Sequence, residues 1–298
     1  MCHINRMDKV QTLIDQFKRR TPPRTGSLLV TLFGDCITPR GGQVWLGSLI
    51  NIVAPLGLSH RLVRTAAYRL VNDGVLTNTQ VGRRSFYSLT DAGQKQFADA
   101  TTRIYAGDAS ESDGWRGQFQ IVLTHQVQDR DAVRRDLQNL GFGTLGQDCF
   151  AHPHPELTRA FVTNLKGAIA MEASLESKVD PDLKDLVQKT WPLTDLADSY
   201  RSFSDQFQQF QSTSDYTDEE AFYLRTFLIH EYRRVLLRDP GLPSALLARD
   251  WPGHRARDLT ETIYRNVLES SERYIDAHFE CEAGRLPQTS PEFARRFL

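Results

Sequence analysis

The sequence of 298 residues has few cysteines and no long apolar stretch, and both shortages limit what the protein can be. Its four cysteines, Cys2, Cys36, Cys149 and Cys281, lie far apart and form no CxxC pair. This pattern favours reduced thiols in a cytoplasmic protein and argues against a zinc finger or a disulfide framework. No apolar run reaches the roughly 18 residues needed to span a bilayer, and the N-terminus shows no signal segment. We therefore expect a cytoplasmic protein without a membrane partner.

The motifs of common enzyme families are missing as well. The sequence has no Walker loop, no dinucleotide-type glycine array and no GxSxG segment around a nucleophilic serine. His230-Glu231 is not a zincin motif, because Arg234 stands where the second histidine is required. His152 and His154 could ligate a metal, but their spacing identifies no third ligand. We expect no catalytic residue, no metal site and no cofactor.

Charge is divided unevenly along the chain. The net charge is −1, yet residues 1–105 carry +8 and the remaining residues carry −9. An excess of Lys and Arg in one segment is typical of a surface that meets a polyanion such as nucleic acid. Basic faces that are merely solvated are also common, so charge alone leaves the partner open.

Residues 59–74 have the pattern of an amphipathic helix with a basic face. Ser59 is a good N-cap residue, and Gly74 is a typical residue just beyond a helix C-terminus. At 100° per residue, several polar side chains fall together on one face that contains no acidic residue. That face consists of Arg61, Arg64, Thr65, Tyr68 and Arg69.

The helices and strands predicted on both sides of this helix follow the order of a known fold. Two helix-like segments, 25–36 and 44–54, come before it, after a polar start to the chain. Two strand-like segments, 75–80 and 85–90, and a helix of residues 91–105 follow it. This is the order of a winged helix-turn-helix, whose third helix enters the major groove while the wing tip reaches the DNA backbone. We predict DNA contacts from Ser59, His60, Arg61, Arg64, Thr65, Tyr68, Arg69, Arg83 and Arg84.

The middle and C-terminal parts show two further patterns. Residues 113–178, after a polar linker at 108–113, predict the order strand, helix, hairpin, helix, strand, which is that of a ferredoxin-like α/β domain. Residues 179–298 predict an all-helical domain. Its aromatic stripe at Tyr200, Phe203, Phe207 and Phe210 favours a core or a dimer interface. Thr217 and Glu220 form a capping box that starts a helix ending near Arg238.

Several segments of the sequence resemble the PaaX family, the repressors of phenylacetic acid degradation. In the basic third these are RTGSLLVTLFGD (24–35), SHRLVRTAAYRL (59–70) and GRRSFYSLT (82–90). Near the C-terminus, LIHEYRRVLLRDP (228–240) and LLARDWPG (246–253) resemble the C-terminal signature of the family. Ala248 stands in that signature where Pro is expected, which affects only the local turn.

The resemblance implies a repressor that an aryl-CoA thioester, typically phenylacetyl-CoA, releases from DNA. Such a ligand needs cations for its phosphates, a flat surface for adenine and an apolar slot for the aryl ring. The predicted ligand-binding residues are Trp115, Tyr232, Arg233, Arg234, Trp251, His254, Arg255 and Arg257. For Trp251 the sequence also allows, and slightly favours, a loop anchor packed under Pro252.

The resemblance also implies that the middle domain is similar to the small nucleases of CRISPR spacer acquisition. In those nucleases an Asp near the end of the first strand holds the metal. Thr124 and His125 stand at that place here, and the next acid is Asp129. Because a two-metal site needs converging carboxylates, we expect a scaffold or dimerisation element.

Together these observations predict an α+β protein of three domains, with bounds at 1–106, 113–178 and 179–298. We expect a homodimer that binds palindromic double-stranded operator DNA and an aryl-CoA effector. The alternative from another class is an acyl-CoA-using enzyme such as a thioesterase, which leaves the basic wing unexplained. A single-strand or RNA adaptor is disfavoured, because the major groove of A-form RNA does not admit a helix.

Overall fold

The computed structural model describes residues 6–21, 24–105, 115–175, 181–212 and 215–297. Two compact units divide the chain. The first unit contains Met1–Gly107, Asp205–Arg233 and Arg257–Leu298, and the second contains Asp108–Ser204 and Arg234–Ala256. The three consecutive domains stay a prediction, and the predicted linker at 108–113 lies outside the described residues. Within those residues, no helix is both long and apolar enough to cross a membrane.

The N-terminal part of the first unit is mainly helical, with one small sheet. Its elements are α1 (Arg6–Lys18), α2 (Thr25–Leu32), β1 (Gln43–Trp45), α3 (Leu46–Val53), α4 (His60–Asn72), β2 (Leu76–Val81), β3 (Arg84–Leu89) and α5 (Asp91–Tyr105). The three strands form an antiparallel sheet in the order β1-β3-β2. Between α2 and β1 the chain forms a π-helix, Phe33–Ile37, and a 3-10 turn, Thr38–Arg40.

Two elements of this part differ from the sequence prediction. The polar start of the chain contains α1, which buries four apolar side chains at helical spacing. These are Val10, Leu13, Ile14 and Phe17. The predicted helix at 44–54 was wrong at its start, because Val44 lies in β1 and pairs with Tyr87 of β3. A three-residue strand is too short to show an alternating pattern, so tertiary pairing decides its conformation.

The second unit contains a four-stranded antiparallel sheet, and two helices connect strands of this sheet along the chain. Its elements are β4 (Gln118–Leu123), α6 (Arg130–Asn139), β5 (Gly143–Gly146), β6 (Cys149–His152), α7 (Pro155–Thr163) and β7 (Ile169–Ser174). The strands lie in the order β5-β6-β4-β7. Val122 and Phe150, paired across β4 and β6, are buried in one core with Leu137 of α6 and Val162 of α7. The helices therefore cover one face of the sheet.

The rest of the chain is mostly helical, as the sequence predicts. Its helices are α8 (Pro181–Thr190), α9 (Leu193–Phe207), α10 (Asp218–Leu236) and α11 (Pro252–His278). Thr217 and Glu220 form the predicted capping box, since the Thr217 N–H donates to Glu220 and the Glu220 N–H donates to Thr217. The aromatic stripe from Tyr200 to Phe210 is buried, which confirms its role in the core.

One feature of the C-terminal part contradicts the prediction of an all-helical domain. Two short strands, β8 (Glu280–Cys281) and β9 (Gly284–Arg285), form an antiparallel hairpin after α11. Gly284 has φ +108, which a residue with a side chain rarely adopts. Each strand is only two residues long, so hydrophobic periodicity could not reveal the hairpin.

A buried carboxylate holds the first unit together. Asp35, in the π-helix, accepts hydrogen bonds from Tyr105 (2.7 Å), Tyr264 (2.9 Å), Arg225 (2.7 Å) and Arg296 (2.8 Å). These partners come from α5, α11, α10 and the C-terminal segment. The sequence analysis did not identify this cluster, because its members lie up to 261 positions apart. Only the tertiary structure brings them together.

Candidate nucleic-acid interface

α4 begins and ends as its sequence predicts. The Ser59 side chain is the N-cap and accepts a hydrogen bond from the Leu62 N–H at 3.3 Å. At the other end, Gly74 has φ +72, and its N–H donates to the Val71 carbonyl. The helix therefore starts and stops at defined residues, and the direction of each side chain along it follows from the 3.6-residue period.

The two sides of α4 differ sharply in exposure. Val63, Ala66 and Ala67 are buried and pack toward α2 and α3. The predicted contact residues of the helix are all exposed: Ser59, His60, Arg61, Arg64, Thr65, Tyr68 and Arg69. The Tyr68 side chain is 64% exposed, which is unusual for an aromatic residue in a monomeric fold. The sequence prediction of the exposed face is confirmed, while its contact with DNA stays a prediction.

The exposed face carries an uncompensated positive charge. No Asp or Glu occurs within α4. In the part of the chain that the structure describes, Arg61, Arg64 and Arg69 form no ion pair. Guanidinium groups that are not held by a carboxylate can bind a phosphate or the edge of a guanine base.

A β-hairpin with two arginines at its tip follows α4. β2 and β3 pair along their whole length, from Leu76 with Leu89 to Val81 with Arg84. The turn between them contains Gly82, whose φ is +59, and Arg83, whose side chain is exposed. This two-residue turn places Arg83 and Arg84 at the same end of the hairpin.

The two arginines have different neighbours. Arg84 forms an ion pair with Glu280 of β8 at 2.8 Å, and its guanidinium lies 4.4 Å from the centre of the Trp45 ring. Arg83 forms no ion pair among the described residues. The sequence analysis missed Trp45 and Glu280, because neither belongs to the hairpin and no motif joins them to it.

Two of the predicted ligand-binding residues in the second unit, Trp115 and Trp251, contact other residues of the protein. Trp115 donates through Nε1 to the Pro153 carbonyl at 2.9 Å and packs against Phe119. Trp251 is buried and packs edge-on against Tyr200. These contacts support the reading of Trp251 as an anchor of its loop. Arg234, His254 and Arg255 complete the set in this unit.

The other predicted ligand residues, Tyr232, Arg233 and Arg257, belong to the first unit. The Tyr232 ring is 2% exposed, so it presents almost no surface to an adenine base. Arg233 donates to the backbone carbonyl of Ser27, and Arg257 lies 5.8 Å from the centre of the Phe297 ring. Ligand binding by any of these residues stays a prediction.

The histidines considered as metal ligands have protein partners. His152 is buried and its Nδ1 accepts from the His154 N–H, while His154 contacts Glu156 and the Gly241 carbonyl. Among the described residues, no group of three His, Cys, Asp or Glu side chains could hold a metal ion. Thr124, at the end of β4, stands at the place compared above with the metal-binding Asp of the small nucleases. Its N–H donates to the Asp148 carbonyl.

Comparison with known proteins assigns the chain to a family. The model of the PaaX-like protein matches residues 24–93, and the model of the PaaX-like protein C-terminal domain matches residues 191–277. The transcriptional repressor PaaX of Escherichia coli is 33% identical over 304 aligned positions, covering 98% of this chain and 95% of that protein. The chain belongs to the PaaX family. The resemblance inferred from short segments of the sequence is therefore confirmed.

The first of these matches includes the candidate interface of this PaaX-family member. Residues 24–93 run from α2 to the beginning of α5, so they contain α4 and the β2–β3 hairpin. Among solved structures, the uncharacterized protein Rv0674 from Mycobacterium tuberculosis matches with 20% identity and a TM-score of 0.46. The match covers 75% of this chain and 88% of that one.

Proposed function

We propose that this protein is a DNA-binding transcriptional repressor in which α4 is the recognition helix of a winged helix-turn-helix. The observation that carries the proposal is the exposed, basic and acid-free face of α4. The β2–β3 hairpin follows α4 at the place where that fold carries its wing. The Escherichia coli relative is a transcriptional repressor, and the protein is accordingly a regulator and not an enzyme.

The chemistry of the face fits the major groove of DNA. Arg61, Arg64 and Arg69 offer guanidinium groups, which bind guanine O6 and N7 in a bidentate way. Thr65 and Tyr68 add a methyl group and an aromatic ring for contact with a thymine methyl. Base contacts of this kind would set specificity, while contacts to phosphate would set affinity and its dependence on salt.

The finer parts of the proposal concern assembly and release. A homodimer with two copies of α4 would match a palindromic operator in the cytoplasm. The ferredoxin-like order of β4 to β7 suits a scaffold or dimerisation role. An aryl-CoA, with phenylacetyl-CoA as the first candidate, would favour a state of the dimer that no longer fits the operator. No observation favours the alternative of an acyl-CoA-using enzyme.

The first experiment measures fluorescence anisotropy of a labelled duplex from the region upstream of the protein's own gene, with an unrelated duplex as competitor. Arg64→Ala should weaken specific binding by about 1–3 kcal/mol, because a bidentate base contact is lost. The fold should survive, since Arg64 is exposed.

The matched control for this experiment is Arg201→Ala, which removes an exposed arginine from α9. It should bind the duplex like the unaltered protein. Near-normal specific affinity of Arg64→Ala would refute the assignment of the recognition helix. If the unaltered protein binds no duplex specifically, the DNA-binding proposal is wrong, and hydrolysis of phenylacetyl-CoA becomes the next assay.

A further inference from the structure

The two arginines at the tip of the wing are not equivalent, and the difference has a consequence for DNA binding. Arg83 projects from the turn and is exposed. Arg84 is about half exposed, but it is held on two sides, by the Glu280 carboxylate and by the Trp45 ring. A guanidinium stacked on an indole loses little further freedom when it binds an anion.

Glu280 is fixed beside the wing by contacts of its hairpin. Its N–H donates to the Ser48 side chain at 3.0 Å, and the Glu282 N–H donates to the Gln43 side chain at 3.0 Å. Gln43 belongs to β1, which is paired with β3 of the wing. The carboxylate therefore stays near Arg84 because backbone groups anchor the strand that carries it.

A carboxylate and a phosphate bind a guanidinium in the same way, through parallel N–H···O hydrogen bonds. Both Arg84 and Glu280 are accessible, with side chains 52% and 44% exposed. We propose that Glu280 competes with the DNA backbone for Arg84 and so limits the affinity of the wing for DNA. The inference rests on the proposed function, in that it requires the β2–β3 hairpin to contact DNA.

The competition makes the two wing arginines contribute unequally. Arg83 can neutralise a phosphate without losing a partner among the described residues. Arg84 must first break its ion pair with Glu280. Binding a phosphate then only replaces one anionic partner with another, so the gain in binding free energy is smaller. Because phosphate contacts are independent of sequence, Glu280 would lower the affinity for the operator and for other DNA by about the same factor.

The test compares Glu280→Gln with a matched control, Glu282→Gln, which removes the same charge from the same hairpin. Both variants keep the backbone hydrogen bonds to Ser48 and Gln43, so circular dichroism and thermal unfolding should stay unchanged.

Glu280→Gln should lower the Kd for DNA about two- to fivefold, the scale of an exposed ion pair. The gain should appear with the upstream duplex and with an unrelated duplex alike. The slope of log K against log salt should steepen by at most about 0.9, the value for one complete phosphate contact.

A double variant ties the effect to Arg84. In the Arg84→Ala background, Glu280→Gln should no longer raise DNA affinity, because the guanidinium that it frees is absent. The inference is overturned if Glu280→Gln and Glu282→Gln act alike, or if the gain persists without Arg84. Absence of DNA binding by the unaltered protein would instead refute the proposed function, and the two failures are therefore distinguishable.

Discussion

The carboxylate of Asp35 is fully buried and is surrounded by groups that favour its ionised form. Burial raises the pKa of Asp35, but the positive charges of Arg225 and Arg296 and the hydrogen bonds outweigh that effect and lower it below the ordinary 3.8. Burial and the charge of Asp35 raise the pKa of Tyr105, so its hydroxyl stays protonated and donates. The cluster is thus a satisfied network of charges and donors.

The first prediction at this scale is that Asp35→Asn destabilises the first unit by about 3–5 kcal/mol. The change leaves the guanidinium of Arg225 buried without its main counter-charge. Urea denaturation followed by circular dichroism measures the loss. Asp198→Asn, which breaks an exposed pair with Arg201, is the control and should change stability little. Equal effects of the two variants would contradict the structural role of Asp35.

The same residue predicts a dependence of stability on acid. Because the pKa of Asp35 is lower in the folded state, its contribution is complete above the unfolded value of 3.8 and is lost as the pH falls through the folded value. The unaltered protein should therefore lose stability below about pH 4, and Asp35→Asn should lose less over that range. A parallel decline of both proteins would show that other carboxylates dominate.

Among the elements, α4 follows from its sequence in its bounds, its cap and the burial of Val63, Ala66 and Ala67, although Leu62 on its apolar side is exposed. Its cap, its stop and its buried face come from local rules, because a helix satisfies its own backbone and shows its burial as a 3.6-residue period. β1 and the β8–β9 hairpin do not follow in this way. β1 finds its hydrogen-bond partners in β3, a distant segment. The strands of the β8–β9 hairpin have only two residues each, too few for a periodic pattern.

A prediction for α4 separates the role of Ser59 in the helix from any contact with DNA. Ser59→Ala should cost about 1 kcal/mol of stability through loss of the cap. Ser59→Asp should restore the stability, since Asp is an equally good cap, yet weaken DNA binding by placing a negative charge at the interface. Denaturant unfolding and anisotropy measure the two effects. If Ser59→Asp binds DNA normally, the start of α4 does not approach the phosphate backbone of the DNA.

At the scale of the whole molecule, both compact units draw on distant parts of the chain. The first unit joins the N-terminal 107 residues with parts of α10, α11 and the C-terminal segment. The contacts of Asp35 supply the physical reason, because its partners come from both ends of the sequence. Composition and periodicity cannot reveal such long-range pairing.

The prediction at this scale concerns release from DNA. Phenylacetyl-CoA should lower the anisotropy of the protein–DNA complex, whereas free phenylacetate and CoA alone should not. By linkage, DNA should weaken binding of the thioester by the same factor, which isothermal titration calorimetry can measure. An unchanged complex at saturating phenylacetyl-CoA would contradict that effector. An equal response to free phenylacetate would remove the requirement for CoA.

Local patterns in the sequence were enough to predict the family, the α+β class, the helices with clear periodicity and the basic face of α4. Each of these depends on residues close together in the chain, whose spacing carries the physical signal. The composition of the two units, the Asp35 cluster and the pairing of Arg84 with Glu280 became evident only in the folded chain. These depend on charges brought together over about 200 positions, and only the folded chain determines which of them meet.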